Sequence, residues 1–434
     1  MEKSKFKPNG FALVPFLIFV VVYLGIGVTL VAKGDPMGFY GFKGPVAVIV
    51  GIIAAFLMHK GSIDEKFDAL VKGCGDANII TMCIIYILAG AFSVVSKQMG
   101  GVDSTVNLGL TLIPPNFVTA GLFIICCFLS IATGTSVGTI VAIVPIATGI
   151  SYSTGIGLPL ITATVVGGAF FGDNLSFISD TTVAATSSQG CKMRDKFRVN
   201  SFIVIPAALI ILLIYIYLGY GMQLPATLPS IDYIKVLPYF IVLISAICGM
   251  NVMGVLTLGI LSTGIVGIAG HEYDFYGWLK AMGDGILSMG ELIIITMLAG
   301  GLLEIIRENG GIDYIIQKMT SHVKSKRGAE LSIGILVTLV DICTANNTVA
   351  IITVGGISKQ ICDRFGVDNR KAASILDTCS CCMQGIIPYG AQMLIAAGLS
   401  KVNPIEILPY LYYPFAIGIA IVMSIVFRYP KRYS

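Results

Sequence analysis

Two aspartates and a dense set of hydroxyl and amide side chains occupy one short segment of an otherwise apolar chain. The segment, residues 173–182, holds Asp173, Asn174, Ser176, Ser179, Asp180, Thr181 and Thr182. Carboxylate, hydroxyl and amide oxygens are the ligands that hard cations prefer in proteins. Because a charged side chain in a bilayer costs at least about 2.5 kcal/mol, the two carboxylates predict a bound cation, a proton or a water-filled path.

The same kinds of ligand recur in other parts of the chain. They are Thr135, Ser136, Asp341, Thr344, Asn346, Asn347, Thr348, Asp377 and Ser380. Burial disfavours the ionised form of a carboxyl group, so a buried aspartate beside a cavity can exchange a proton for a cation. These residues therefore supply the minimum components of a cation/proton antiporter. Helix capping is the structural alternative for Asp173 and Asp180, and it does not exclude ion binding.

The composition places these residues in a membrane. Apolar residues make up 56% of the 434 residues and charged residues 12%, against roughly 25% charged in soluble domains. We expect an all-α polytopic protein of the inner cell membrane, embedded in the lipid bilayer. A spanning helix needs ~20 mostly apolar residues, and about eleven to thirteen such stretches occur. They include 11–32, 44–58, 79–96, 199–219, 236–253, 286–306 and 408–428.

Several other classes of protein are disfavoured. The formal net charge of +4 carries little information about a partner, because lysine and arginine cluster in short loops, where they report topology. No nucleic-acid partner is expected. Cys379 and Cys382 form one C-x-x-C pair without the further ligands of a zinc site. No phosphate-binding loop or hydrolase motif occurs. The sequence therefore predicts neither a cofactor nor an enzyme activity.

The chain resembles itself at an offset of 210 residues. Leu88-Ala89-Gly90 recurs as Leu298-Ala299-Gly300, and residues 100–103 recur as 310–313. Residues 129–139 also align with 339–349 at this shift. Such self-similarity indicates an internal structural repeat. We expect N-terminal helices in 1–58, a first repeat in 59–219, connecting helices in 220–269 and a second repeat in 270–428.

Loop charges indicate that the two copies have opposite orientations. Cytoplasmic loops are enriched in lysine and arginine, and 59–76 carries three lysines where its counterpart 270–285 carries one. The bias also reverses between 97–115 and 307–328, and between 191–198 and 401–407. One loop does not fit the inverted arrangement: 357–371 carries four basic residues where that arrangement places a loop outside the cell. We therefore predict two inverted repeats with both termini in the cytoplasm.

Each copy contains a polar break within an apolar run. Residues 133–139 interrupt the run 117–150, and residues 343–348 interrupt the run 331–361. Inverted repeats with broken helices are typical of secondary transporters, whose ion sites lie at the repeat interface. We also predict that 173–182 is a re-entrant turn, since a straight helix would separate Asp173 and Asp180 by roughly 10 Å. On this interpretation Asp180 carries the exchanged proton and Asp173 tunes cation affinity.

One motif resembles a known family. Gly168-Ala169-Phe170-Phe171-Gly172-Asp173, followed by Ser176 and Ser179-Asp180-Thr181-Thr182, is similar to the G-A-x-F-G-D-x-x-S-x-x-S-D-T-T signature of NhaC-type sodium/proton antiporters. The breaks at 134–139 and 346–348 resemble that family's other polar segments, so the similarity covers about 40–400. It implies membership of the ion transporter superfamily, with re-entrant hairpins, broken helices and elevator-like motion. Asn174, Leu175, Phe177 and the segment 386–390 depart from the family pattern beside the expected solute pocket.

The favoured hypothesis is exchange of Na⁺ for H⁺ without ATP. Asp173, Asp180, Asp341 and Asn346 are the predicted sodium ligands, with Asn347 and Asp377 completing the site. The alternative is a sodium-coupled transporter or exchanger of a small organic carboxylate or amino acid, because the positive end of a half-helix suits an anion. Assembly as a homodimer is left open.

Overall fold

The chain is described from a computed structural model. It describes residues 7–32, 44–112, 114–176, 179–220, 231–248, 250–320 and 325–433. Within these ranges the chain forms α-helices and short 3₁₀ turns and contains no strand. The predicted all-α fold is confirmed.

The helices of the first half are numbered in chain order. They are α1 (Val14–Ala32), α2 (Gly44–Met58), α3 (Ile63–Cys74), α4 (Ala77–Gln98), α5 (Gly101–Leu112), α6 (Val118–Thr133), α7 (Ser136–Thr154), α8 (Leu158–Leu175), α9 (Asp180–Gln189) and α10 (Met193–Gly219).

The second half continues with α11 (Tyr233–Ile247), α12 (Val252–Ala269), α13 (Phe275–Ser288), α14 (Gly290–Glu308), α15 (Gly311–Thr320), α16 (Lys326–Thr344), α17 (Asn347–Phe365), α18 (Asn369–Gln384), α19 (Ala391–Ser400), α20 (Pro404–Ile407) and α21 (Tyr412–Val426).

Several helices are long and apolar enough to cross a membrane. Among the described residues five qualify by length and composition, and two bent pairs, Phe275–Glu308 and Pro404–Val426, raise the number to seven. Five further apolar helices have 10 to 17 residues. The multi-pass architecture agrees with the sequence, while the larger count of eleven to thirteen spans stays a prediction.

The helix bounds recur at the predicted offset. Adding 210 to the bounds of α6, α7 and α8 gives 328–343, 346–364 and 368–385, which lie within two residues of α16, α17 and α18. Packing is reciprocal as well. Helix α9 contacts α17 and α18, and its counterpart α19 contacts α7 and α8. Each short helix thus inserts into the opposite half, which places the polar segments between the halves.

The two halves contact each other through residues that occupy equivalent positions in the repeat. Tyr86 Oη accepts a hydrogen bond of 3.4 Å from Thr296 Oγ1, its counterpart 210 residues away. A Cβ atom on Gly73 would clash with the backbone of Gly300, and one on Gly90 would clash with Gly285. The start of the α3–α4 pair therefore packs on the end of the α13–α14 pair, and the two run antiparallel. Inversion across the bilayer itself stays a prediction.

Three local expectations need correction. The stretch 236–253 is not one helix, because Asn251 caps a new helix by accepting from Met253 N at 2.9 Å. Lys196 and Lys371 are not loop charges, since both lie within helices and are fully buried. Burial is possible because oxygen atoms of neighbouring segments accept hydrogen bonds from each ammonium group. Because Lys371 is not a loop charge, the segment 357–371 has fewer basic loop residues to set against the inverted topology.

Candidate cation-binding site

The first polar break is built by a left-handed residue followed by a cap. Helix α6 ends at Thr133, and Gly134 adopts φ +67°. Thr135 then caps α7 by accepting from Gly138 N at 3.3 Å. Glycine is the usual residue in this conformation because it has no Cβ atom. The predicted break in this run is confirmed.

The second break repeats the construction with a different residue. Helix α16 ends at Thr344, and Ala345 takes the left-handed position with φ +49°. Asn346 caps α17 by accepting from Val349 N at 3.0 Å. This predicted break is also confirmed, although alanine is strained here, at a cost of about 1 to 2 kcal/mol.

A polar cavity of about 320 Å³ lies between the two breaks and is lined by the N-terminal turns of both α7 and α17. It brings together half of the predicted site residues. They are Thr135, Ser136, Asp173, Asp180, Thr181, Asn346, Asn347 and Thr348.

Asp173 is held at the cavity wall by residues from both halves. It lies in the last turn of α8 with only 5% of its surface exposed. Its Oδ2 accepts a hydrogen bond of 2.8 Å from Ser136 Oγ. Ser136 Oγ in turn accepts from Gln392 Nε2 on α19 at 3.2 Å. Within the described ranges no lysine or arginine pairs with Asp173, so its carboxylate lacks a resident counter-ion.

Two amide groups at the cavity retain open hydrogen-bonding capacity. Gln384 donates to Gln392 Oε1 at 2.8 Å and to Ala345 O at 3.0 Å. Its own Oε1, and Nδ2 of Asn347, have no hydrogen-bond partner among the residues described. The cavity lining therefore contains one unpaired acceptor and one unpaired donor, and both atoms are buried.

Asp180 differs from Asp173 in exposure. It is the first residue of α9 and is exposed at the cavity. Ser179 caps this helix by accepting from Thr182 N at 3.3 Å. The helix is interrupted between Leu175 and Asp180, but residues 177 and 178 lie outside the described ranges. The re-entrant turn therefore stays a prediction.

A second carboxylate, Asp377, lies in a buried polar network outside the cavity lining. Its Oδ2 is 2.5 Å from Lys196 Nζ, and both side chains are fully buried. The same oxygen accepts from Asn174 Nδ2 at 2.9 Å and from Asn200 Nδ2 at 3.2 Å. Lys196 also donates to Thr182 Oγ1 at 2.7 Å. The structure thus brings Asn174, Thr182 and Asp377 together, but around a lysine and away from the cavity lining.

The remaining predicted residues are not brought to the cavity. Asp341 is fully buried, and neither carboxylate oxygen has a hydrogen-bond partner within the described part of the chain. Ser176 and Ser380 donate to the backbone oxygens of Ile131 and Asp377, both at 3.0 Å. Thr344 lines a smaller cavity of about 140 Å³ that shares Asn346 with the larger one.

Sequence reasoning missed Lys196, Asn200 and Gln392 as site residues. Lys196 and Asn200 are four residues apart, which places them on one face of α10. That spacing was the available signal, but a lysine near a helix start also fits a loop charge. Gln392 is a lone polar residue at the start of α19 and gives no signal of its own.

Comparisons with known proteins identify a family and several relatives. The family model described as Na⁺/H⁺ antiporter family matches residues 10–220 and 224–430. The Malate-2H(+)/Na(+)-lactate antiporter of Bacillus subtilis is 24% identical over 449 residues, covering 94% of each chain. The Na(+)/H(+) antiporter NhaC of Alkalihalophilus pseudofirmus is 26% identical over 384 residues, covering 80% of this chain and 81% of its own.

Among solved structures, the YdaH transporter of Alcanivorax borkumensis covers 97% of this chain and 99% of its own at 12% identity, with a TM-score of 0.42. The predicted resemblance to NhaC-type proteins is confirmed by the family model and by relatives of that name. Since the family model spans both halves, the chain belongs to the Na⁺/H⁺ antiporter family.

Proposed function

We propose that the protein is a secondary active transporter that exchanges Na⁺ for H⁺ across the cell membrane. The carrying observation is the placement of Asp173 and Asp180 in one polar cavity between two helix breaks. Family membership and the sodium/proton antiporters among its relatives support the same function. Hydroxyl and amide oxygens from both halves complete a ligand set of the type that a hard cation prefers.

We assign the exchanged charge to Asp173, which reverses the roles suggested by the sequence. A nearly buried carboxylate without a resident counter-ion is costly, so it must bind either a proton or a cation. Ser136 Oγ lies 2.8 Å from its Oδ2 and can donate to either form of the site. Competition between Na⁺ and H⁺ for this one carboxyl couples the two fluxes.

Asp180 serves a different purpose in this proposal. It is exposed at the cavity and begins α9. A helix N-terminus favours negative charge, and we assign to Asp180 the role of attracting a cation into the cavity. Thr181 and Thr348 are the neighbouring residues whose hydroxyl groups can join it, since both line the same cavity.

We further propose that the two halves are inverted repeats with both termini in the cytoplasm. The antiparallel packing of the α3–α4 and α13–α14 pairs supports this orientation. Lys72, which lies in α3 within the basic segment 59–76, forms a 3.2 Å ion pair with Glu304, which Arg307 also contacts at 2.7 Å. Two segments for which loop charges predict a cytoplasmic location therefore meet on one side of the molecule.

A second candidate function is exchange of a small organic carboxylate together with Na⁺ or H⁺. The observation that favours it is the polar cavity of about 320 Å³, which is larger than a sodium ion requires. The malate and lactate antiporter of Bacillus subtilis is a relative of this kind. Uptake of labelled carboxylates under a sodium gradient separates the two functions.

The primary test uses proteoliposomes with an acidic interior and a pH-sensitive dye. Adding Na⁺ outside should dissipate the proton gradient, whereas adding choline should not. No response to Na⁺, Li⁺ or K⁺ between pH 6 and 9 contradicts the proposed function. Dissipation only when a carboxylate accompanies sodium favours the second candidate.

A further inference from the structure

A fully buried lysine bridges the junction of α8 and α9 and the second half of the molecule. Lys196 Nζ lies 2.5 Å from Asn174 O, 2.7 Å from Thr182 Oγ1 and 2.5 Å from Asp377 Oδ2. An ammonium group has three N–H donors, and each finds one of these oxygens. The lysine is therefore saturated and has no capacity for a substrate.

The three acceptors belong to three different elements. Asn174 lies at the end of α8, Thr182 in the first turn of α9 and Asp377 in α18 of the opposite half. A carbonyl, a hydroxyl and a carboxylate oxygen are also the ligands of a hard cation. Lys196 thus acts as a resident cation in an oxygen-lined position beside the cavity.

The corresponding junction in the second half is closed differently. Between α18 and α19, Gln384 donates to Gln392 Oε1 at 2.8 Å, and position 406, which is 210 residues after Lys196, is a glutamate. A neutral pair of amides holds one junction, and a charge holds the other. The charge is placed at the junction that separates Asp173 from Asp180.

We propose that Lys196 is a positioning residue for the exchange reaction, an inference that rests on the proposed exchange at Asp173. Its ammonium group holds the α8–α9 junction against α18 so that Asp173 and Asp180 both face the cavity. Its charge also offsets that of Asp377, which leaves Asp173 as the carboxyl available for exchange.

The charged groups around Asp173 determine how the inference is tested. Asp377 on α18, Lys196 on α10 and Asp180 on α9 act on it electrostatically, while Ser136 on α7 donates a hydrogen bond. Loss of the Lys196 charge favours the protonated form of Asp173. The pH profile of exchange by Lys196→Gln should then shift to higher pH, and exchange should require a higher sodium concentration. Lys196→Arg keeps the charge and should keep the wild-type pH profile.

Lys371 offers a matched control. It is equally buried and donates to Ser424 Oγ and Tyr429 O, outside the cavity. Lys371→Gln should lower thermal stability and leave the pH profile and sodium dependence of exchange unchanged. The measurement is sodium-driven proton exchange from pH 6 to 9 in proteoliposomes. A folded Lys196→Gln variant whose pH profile matches the wild type, or an equal shift in Lys371→Gln, overturns the inference.

A double variant keeps the test decisive if the single variant fails to fold. Lys196→Gln with Asp377→Asn removes both charges together and should fold. We expect its pH profile to return toward the wild type, while its sodium dependence stays weakened because the junction is no longer held. Wild-type values for both quantities contradict the inference. An inactive wild-type protein contradicts the proposed function and this inference together, whereas an active wild type with an unchanged variant contradicts the inference alone.

Discussion

Asp173 and Asp377 lie on equivalent helices of the two halves but in opposite electrostatic surroundings. Asp377 on α18 is paired with Lys196 and accepts from two asparagine amides. Asp173 on α8 lines the cavity, with one hydroxyl donor on its Oδ2. The same scaffold thus carries one carboxylate neutralised by the protein and one left for a transported ion. Repetition of a fold does not require repetition of its chemistry.

The largest expected effect is a difference in the free energy of unfolding between variants of Asp377 and variants of Asp173. Asp377→Leu leaves the buried Lys196 without its counter-charge and should lower the free energy of unfolding by about 3 to 5 kcal/mol. Combining it with Lys196→Met should recover most of this loss, because an apolar pair of similar volume often replaces a buried ion pair at little cost. Thermal and denaturant unfolding in detergent measure both variants.

The matched change at the cavity is Asp173→Asn. It leaves no buried cation unpaired, so its unfolding free energy should stay close to that of the wild type. If Asp173→Asn costs as much stability as Asp377→Leu, the distinction between a structural and an exchangeable carboxylate is wrong.

A smaller effect concerns the donor to Asp173. Ser136→Ala removes a hydrogen bond to a charged group, worth about 1.5 to 3 kcal/mol, and should weaken the apparent sodium affinity by about tenfold or more. Sodium titration of exchange at fixed pH measures it. Ser130→Ala removes another buried hydroxyl, which donates to Ala169 O at 2.6 Å, and should leave sodium affinity unchanged. Equal losses in both variants would mean that Ser136 acts only through packing.

The smallest expected effect compares the two helix breaks. Gly134 and Ala345 both have left-handed backbones, with φ +67° and +49°. Ala345→Gly should raise the free energy of unfolding by about 1 kcal/mol, and Gly134→Ala should lower it by a similar amount. Melting temperatures in detergent check the signs. Two shifts of the same sign would contradict the strain assigned to Ala345.

The sequence predicts the breaks and eight of the 22 residues that line the cavity, because both depend on local patterns. Polar residues inside an apolar run leave backbone groups without helical partners, and such groups are tolerated only where protein or a cavity surrounds them. Thr135, Ser136, Asn346, Asn347 and Thr348 follow from this argument, and the structure places all of them at the cavity.

The partner of each carboxylate could not be predicted in this way. Lys196 and Asp377 are 181 residues apart in the chain, and their pairing depends on how α10 packs against α18. Asp341 shows the same limit. Its neighbours in the sequence are the polar residues of the second break, but its position on α16 places its side chain inside the protein.

The central claim, that Asp173 carries the exchanged charge, is tested most directly by sodium-driven dissipation of a proton gradient in proteoliposomes of Asp173→Asn and Asp180→Asn. The account predicts no exchange by folded Asp173→Asn at any pH from 6 to 9. Asp180→Asn should still exchange, at a higher sodium concentration. Normal exchange by Asp173→Asn together with an inactive Asp180→Asn would contradict this account. The proton-carrying role would then belong to Asp180, as the sequence suggested.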